Sequence, residues 1–507
     1  MRTLSNIVAA VLCMAALCPR AVRAQQQSQD QGQQQSPDQT QQQTPAPQAP
    51  TQPTAPIPAY RSPLAGAADN GDDTDNNEVT PDTSALTGVQ NLSLGMPTTR
   101  SYWQPHFDIF ATINSNPAEN PGGSSNWGAS TALSGGIDLH RRSDNSDITF
   151  SYIGGGSISD NSSASNGVVQ AFDFTEKLSF RRWVVSFLDQ LNYLPQSSFG
   201  FNGLGAVALP GSGSSGVGSP FTPGQSLLTG QGQNLGNSFD TEVDALLTAR
   251  SSLTFIGGYS LLHYFDSDLL DYGTVNFRAG YNYQVDRKNT IGLAYTFSEY
   301  NYSNFDQSIV SHTAQVSYGR RVTGRLAFQI SAGPQVALFH APISPPTTGS
   351  SGTGGTGSNT ASPTTQVYWT LNTSVQYGLP RTVLALAYNH GVGGGSGALA
   401  GSLTDTVSGS VTRKMSRTFS SGITGGYSRN QGLAISAKIP SSQTYDYWYG
   451  GGNLSYPIGR SLGLTLSYQL QYQTSNAAFC IGPTCGTSVI LHMISLGVGW
   501  HERPHQF

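Results

Sequence analysis

Long apolar runs, charge and cysteine are all scarce in this chain of 507 residues, and each scarcity removes a class of protein. Beyond the first two dozen residues no stretch approaches the roughly 20 consecutive apolar residues of a spanning helix, which excludes a helical membrane protein. Charged residues make up 11%, less than half the ~25% usual in soluble domains. A soluble sheet protein would show Lys and Glu on its solvent face, and this chain has few of either. The net charge of -4 with no basic stripe points away from nucleic acid. Four cysteines are too few for a disulfide scaffold, and no cluster of ligand spacing suggests a metal or cofactor.

What is present is unevenly distributed. Arg2, an apolar stretch from Ile7 to Leu17 and Val22-Arg23-Ala24 before Gln25 read as an export signal, with cleavage expected near Ala24. Cys13 and Cys18 fall inside it. Leu17 stands where a lipoprotein box wants a small residue, so a lipid anchor is not the expectation. Residues 25–100 are first Gln, Pro, Ser, Thr and Ala, then acidic with Asp69, Asp72, Asp73, Asp75 and Glu78. Such a composition offers too little apolar surface to offset the entropy of ordering, and a disordered periplasmic tether is expected. Its carboxylates do not reproduce a calcium loop.

From about Tyr102 the chain alternates apolar with small or polar residues in segments of about ten. Leu462, Leu464, Leu466, Tyr468, Leu470 and Tyr472 oppose Ser461, Gly463, Thr465, Ser467, Gln469 and Gln471, the two faces of a strand. The polar face carries Gly, Ser, Thr, Asn and Gln with few charges, which suits lipid outside and water inside. About 18 such segments occur over 101–507 (16 to 18 allowing for miscounting), an even number as single-chain bacterial barrels have. Their connections alternate. Short ones hold Arg141-Arg142, Arg181-Arg182, Arg250, Arg287-Lys288, Arg320-Arg321 with Arg325, Arg381, Arg413-Lys414 with Arg417, and Arg460, which is 15 of the 25 basic residues. Long ones, such as 194–237 and 340–364, are nearly uncharged. The fold expected is all-β, a transmembrane antiparallel up-and-down barrel. Tyr264, Tyr300, Tyr302, Tyr447, Trp448, Tyr449 and Trp500 lie near strand ends, where a membrane interface holds amphipathic rings.

In plan the chain resembles the outer-membrane β-barrels of diderm bacteria and is most similar to porins, over residues 100–507 and without a specific motif. The final strand fits the resemblance: Ile494, Leu496, Val498 and Trp500 alternate with Ser495, Gly497 and Gly499, and Phe507 is last. Either Trp500 or Phe507 is the terminal aromatic that such barrels present for assembly. The resemblance implies an outer-membrane location and passive passage of small hydrophilic solutes. It also implies contact with membrane lipids and with barrel-assembly machinery, and a homo-oligomer is compatible with it. By the same resemblance the connection 194–237, which is uncharged, either narrows the lumen or lies over the mouth. The alternative function is a barrel without transport, binding a partner at the surface or joined to the cell wall through the tether.

Candidate site residues are the charges on the polar strand faces. Asp240, Glu242 and Asp244 share one parity, opposite to Phe239, Val243 and Ala245. Asp108, Asp173 and Arg278 join them as pore-wall candidates, since a cation on the lipid face would cost roughly 2–4 kcal/mol at the midplane. Bracing the wall is the competing role for all six. Cys480 and Cys485 flank Gly482-Pro483 in the last long connection, and export would oxidise them to a disulfide. Three motifs fail on context. His501-Glu502-Arg503-Pro504-His505 spells a zinc-protease signature but cannot be a helix with Pro504 inside. Gly211, Gly213 and Gly216 lack a flanking strand and helix. His263, His312 and His390 lack any ordered nucleophile nearby in sequence, so no enzyme is expected.

Overall fold

The computed structural model describes residues 101–116, 127–160, 166–194, 233–265, 269–303, 307–340, 364–394, 399–416, 419–433, 443–459, 461–478, 480–481 and 484–506. It also describes the short pieces 78–79, 91–95 and 216–218. The signal sequence, the Gln/Pro-rich stretch and most of the connection 194–237 lie outside these residues. Glu78–Val79, Asn91–Gly95 and Gly216–Gly218 form a small sheet apart from the main one.

Eighteen strands close into one antiparallel barrel. They are β1 (Tyr102–Asn114), β2 (Gly128–Arg142), β3 (Ser146–Ser159), β4 (Gly167–Ser179), β5 (Trp183–Leu194), β6 (Asn234–Thr248), β7 (Ser251–Tyr264), β8 (Tyr272–Gln284) and β9 (Asn289–Tyr302). The second half comprises β10 (Gln307–Arg321), β11 (Leu326–His340), β12 (Thr364–Leu379), β13 (Thr382–Gly393), β14 (Ser402–Lys414), β15 (Ser420–Gly432), β16 (Thr444–Ile458), β17 (Leu462–Ser475) and β18 (Ser488–His501). Each strand pairs with the next in sequence, and β18 closes on β1 with Met493 opposite Asn114 and His501 opposite His106. Closure pairs strand to strand around the whole ring, the condition for a sheet in lipid. The expected strand number and topology are those found.

The alternation seen in the sequence is the alternation of burial. Along β18, Ile494, Leu496, Val498 and Trp500 are each more than 40% exposed, whereas Leu491, Met493 and Ser495, of the other parity, are buried. A period of two puts successive side chains on opposite faces. Every strand exposes large apolar side chains, among them Leu293, Val316, Ile423 and Trp448. An apolar belt of this kind around a closed sheet is a surface made for hydrocarbon.

The short connections are tight and self-capped. In the β8–β9 turn the Asp286 carboxylate accepts the backbone N–H groups of Lys288 and Asn289 at 2.7 and 2.8 Å and the Asn289 side-chain amide at 2.7 Å. The Asn289 side chain, with the Lys288 amide next, holds the Asp286 carboxyl below the usual carboxylate range. Among the described residues, the basic residues of the turns thus sit at one rim, as their spacing suggested. After β18 the chain turns back to β1: Glu502 N–H donates to the Pro105 carbonyl at 3.1 Å, and His505 and Gln506 pair with Trp103 and Tyr102. Three residues there oppose two, a β-bulge. The tail is extended, and the two histidines of the zinc-protease signature do not share a helix face.

Candidate functional site: the inner wall

All charged candidates on the strands have the inward parity. Asp240, Asp108 and Arg278 are buried, while their neighbours Phe239, Phe107, Ile109 and Phe277 are exposed outward. Asp244 accepts the Thr254 hydroxyl at 2.5 Å, and Asp240 accepts that of Ser238 at 3.2 Å. Glu242 and Arg278 stand on either side of Ile256, which pairs with both, and their charges attract across it. Asp173 belongs to a row running Gln104, Asp138, Ser151, Asp173, Gln190 and Ser238 across successive strands. Ser151 donates its hydroxyl to Asp138 at 2.7 Å.

Two members of this wall escaped the sequence reading. Asp138 lies 3.4 Å from His106 Nδ1, and Lys177 is close enough to Glu242 and Asp244 to attract both. Parity alone would have found them, because Asp138 shares it with Ser134 and Lys177 with Asp173. With them a pattern emerges. The inward charges Asp108, Asp138, Asp173, Lys177, Asp240, Glu242, Asp244 and Arg278, with Arg142 and Asp147 at the turn rim, all stand on β1–β8. Among the described residues of β9–β18 only Arg321 and Lys414, at the turn rim, have inward parity and charge. The rest of that arc is Gln, Asn, Thr and Ser, for example Gln315, Gln335, Asn430, Gln471 and Gln473, all buried.

The aromatic residues near the strand ends require correction. Of the seven expected at a lipid interface, only Trp448 and Trp500 face outward; Tyr264, Tyr300, Tyr302, Tyr447 and Tyr449 are buried with inward parity. Tyr447 and Tyr449 pack with Val489, Leu491 and Met493. The interface on this side of the barrel is marked instead by Tyr388, Tyr427 and Trp448. The Tyr388 and Tyr427 hydroxyls donate to Asp405 and Asp446 at 2.9 and 2.7 Å, and Tyr427 lies 4.2 Å from the Trp448 ring centre. An apolar body with a polar tip turned toward a carboxylate row suits the boundary between hydrocarbon and water.

The inner wall also receives a piece of chain. The β12–β13 ladder ends at Leu371 opposite His390, three residues before β13 does. Beyond it Val392 is bonded on both sides by one side chain of β11: its N–H donates to Gln335 Oε1 at 2.9 Å, and Gln335 Nε2 donates to its carbonyl at 3.2 Å. Val392 packs with Tyr300, Tyr302, Ile309, Ala337 and Phe339 of the inner wall and with Leu433. The Tyr302 hydroxyl donates to the Gly394 carbonyl, and Gly401 N–H donates to the same carbonyl at 3.2 Å. Gly401 has φ +81°, where only glycine is unstrained. A Cβ on Gly394 would strike Tyr300, and one on Gly401 would strike Ile309. The top of the β13–β14 hairpin therefore leans into the lumen. The connection 194–237, the expected constriction, lies outside the described residues apart from its ends and Gly216–Gly218.

The histidines singled out in the sequence acquire partners. His263 Nδ1 is 2.6 Å from Asp271, and His390 Nδ1 is 2.6 Å from Asp405. No serine or cysteine completes either pair among the described hydrogen bonds. Trp369 stacks on His390 with ring centres 3.8 Å apart. In the last long connection the backbones of Cys480 and Cys485 are directly paired.

No family model matches the chain, and no curated protein does. Similar solved structures include OccAB1 of Acinetobacter baumannii, 12% identical with a TM-score of 0.39, covering 80% of this chain and 97% of that one. OccK2 (OpdF) of Pseudomonas aeruginosa is 12% identical with a TM-score of 0.39, covering 79% and 97%. The outer membrane protein OpdK of Pseudomonas aeruginosa is 11% identical with a TM-score of 0.37, covering 79% and 98%. At that level of likeness nothing about solutes passes from those proteins to this chain.

Proposed function

We propose that this protein is an outer-membrane, porin-like channel for passive passage of small hydrophilic solutes, with a wall that favours cations. The observation that carries the reading is the inner wall itself. Eighteen strands enclose a lumen too wide for wall side chains alone to fill, and its charged arc holds more carboxylates than bases. Low-dielectric walls concentrate the field of such a cluster on whatever passes. No step of covalent chemistry is implied: the His263–Asp271 and His390–Asp405 pairs have no serine or cysteine beside them among the described hydrogen bonds.

The test is conductance of the purified protein in a planar bilayer. Asp240→Asn, Glu242→Gln and Asp244→Asn together should leave a heat-modifiable, folded barrel and lower the preference for potassium over chloride. Unchanged selectivity in a conducting triple variant would defeat the proposed role of these residues. The packed aromatic side chains at the long-loop end favour a second reading, a barrel that binds a surface partner without transport. Zero conductance in the parent and in every variant would select it.

Around this centre we assign a cleaved signal sequence at 1–24, a tether at 25–100 that can reach the cell wall and of which 78–79 and 91–95 pair in a sheet with 216–218, and dependence on barrel-assembly machinery. The direct pairing of Cys480 with Cys485 supports a disulfide at that loop tip. So short a loop removes little unfolded-state entropy, less than the ~3 kcal/mol of a 15-residue loop, so the bond would shape the tip only.

A further inference from the structure

We propose that Gln104, His106, Asp108, Ser134 and Asp138, on β1 and β2, form a site on the inner wall that binds the ammonium group of a small solute. The proposal deepens the pore reading and rests on it for the route by which a solute arrives; binding itself is measurable whether or not the barrel conducts.

The β1–β2 ladder sets these residues side by side with inward parity, Gln104 opposite Asp138, His106 opposite Gly136 and Asp108 opposite Ser134. Gln104, His106, Asp108 and Ser134 are each at most 6% exposed, and the Asp138 side chain, at 16%, is the part that meets the lumen. Each of the five carries a buried polar atom with no hydrogen-bond partner: Gln104 Oε1, His106 Nδ1, Asp108 Oδ1, Ser134 Oγ and Asp138 Oδ2. Their other ends are engaged. Gln104 Nε2 donates to the Glu502 carbonyl at 2.7 Å, and Asp138 Oδ1 accepts the Ser151 hydroxyl at 2.7 Å, so acceptor oxygens are left over. The His106 ring lies over Gly136, where a Cβ would strike it, and its Nδ1 stands 3.4 Å from Asp138 Oδ2. Buried polar groups are nearly always bonded, and a buried carboxylate is among the costliest to leave unpaired. Among the described residues the charged neighbours of Asp108 are His106 and Asp138, and those of His106 are the two carboxylates; neither lysine nor arginine is among them. The gathered acceptors therefore suit a group that only donates and carries positive charge, as an ammonium does. Among the described residues no set of His, Cys, Asp and Glu stands at metal-holding spacing, which favours ammonium over a metal ion.

Isothermal titration of the full chain, folded in detergent, with propylammonium chloride tests the site. Tetramethylammonium chloride, with the same charge and no N–H, is the comparison and should not bind. Asp108→Asn should weaken propylammonium at least about tenfold, the size of a hydrogen bond to a charged group. Thr112→Val should leave it unchanged, because that hydroxyl already has Ser495 at 2.8 Å. Ser134→Ala should weaken binding about fivefold and yet raise the denaturant midpoint of the ligand-free barrel, since it removes a buried hydroxyl without a partner. A lower midpoint with unaltered binding would make Ser134 a brace and overturn the site. Equal heats for the two ammonium salts would overturn it by leaving only a diffuse field of carboxylates. No heat in the folded parent, or parental affinity in folded Asp108→Asn, would overturn it as well and leave the five atoms to water. Binding as expected with zero conductance would sink the pore reading and leave the site standing, so the two fail separately.

Discussion

Gly333 and Pro334 show how a single pair of residues sets what the wall can do. The β10–β11 ladder runs to Thr313 opposite Gln335 and resumes at Val316 opposite Ala332. Pro334 has no N–H to give across that gap, and a Cβ on Gly333 would overlap the Ala314 carbonyl oxygen. Backbone cannot move aside as a rotamer does, so Gly333→Ala should cost about 1–3 kcal/mol, the range for overpacking a close contact. A lower denaturant midpoint for unfolding from lipid vesicles would register it; a midpoint equal to the parent's would mean that the strands separate there at no cost. At this scale the sequence was legible for Asp240, Glu242 and Asp244, whose faces follow from strict alternation with Phe239, Val243 and Ala245. It was illegible for Tyr447-Trp448-Tyr449, where three aromatics in a row fit either face. Only the ring closed around them decides that Trp448 meets lipid and the tyrosines meet the lumen.

Among the elements, the tail after β18 has a task its sequence did not announce. Gln104 bridges the bulge by donating from Nε2 to the Glu502 carbonyl at 2.7 Å. Trp103 stacks on His505 at 4.5 Å. Without residues 502–507, Tyr102 and Trp103 would lose the strand partner that continues the closing seam, while His106–Asn114 would keep theirs. A chain ending at His501 should therefore still form a barrel, with its transition to the unfolded gel form at a lower temperature than the parent's. An unshifted transition would show that the tail adds nothing to closure. The strands themselves were legible because a two-residue period and basic short turns mark each one. The inward lean of the β13–β14 hairpin was not, because it depends on Gln335, fifty-odd positions earlier, and no local pattern encodes a partner that distant.

Over the whole molecule two surfaces answer to two solvents, and adjacent residues can be used to show it. Leu466 is exposed outward on β17 and Ser467 faces in. Leu466→Arg should cost up to roughly 2–4 kcal/mol of barrel stability, the range for a cation placed in the hydrocarbon. Ser467→Arg should cost far less and alter ion selectivity instead. Equal effects on stability would mean that the exterior is not in lipid. The division of the lumen into a charged arc and a neutral arc was half legible: the charged candidates were visible one by one. Their confinement to eight adjacent strands follows from ring order, which only closure defines.

The lean of the hairpin has a counterpart on the other side of the wall. Where β13 departs, Thr364–Thr370 of β12 keep β11 on one edge and, among the described residues, have no strand on the other. Among the described residues the ring is therefore notched at its long-loop rim. The notch opens sideways, at the height where His390, Asp405, Arg429 and Asp446 follow one another from strand to strand, and Trp369 lies across it on the ring of His390. Where main-chain pairing between β12 and β13 stops, a stack of an indole on an imidazole continues it, so side chains rather than backbone join the two strands at that height.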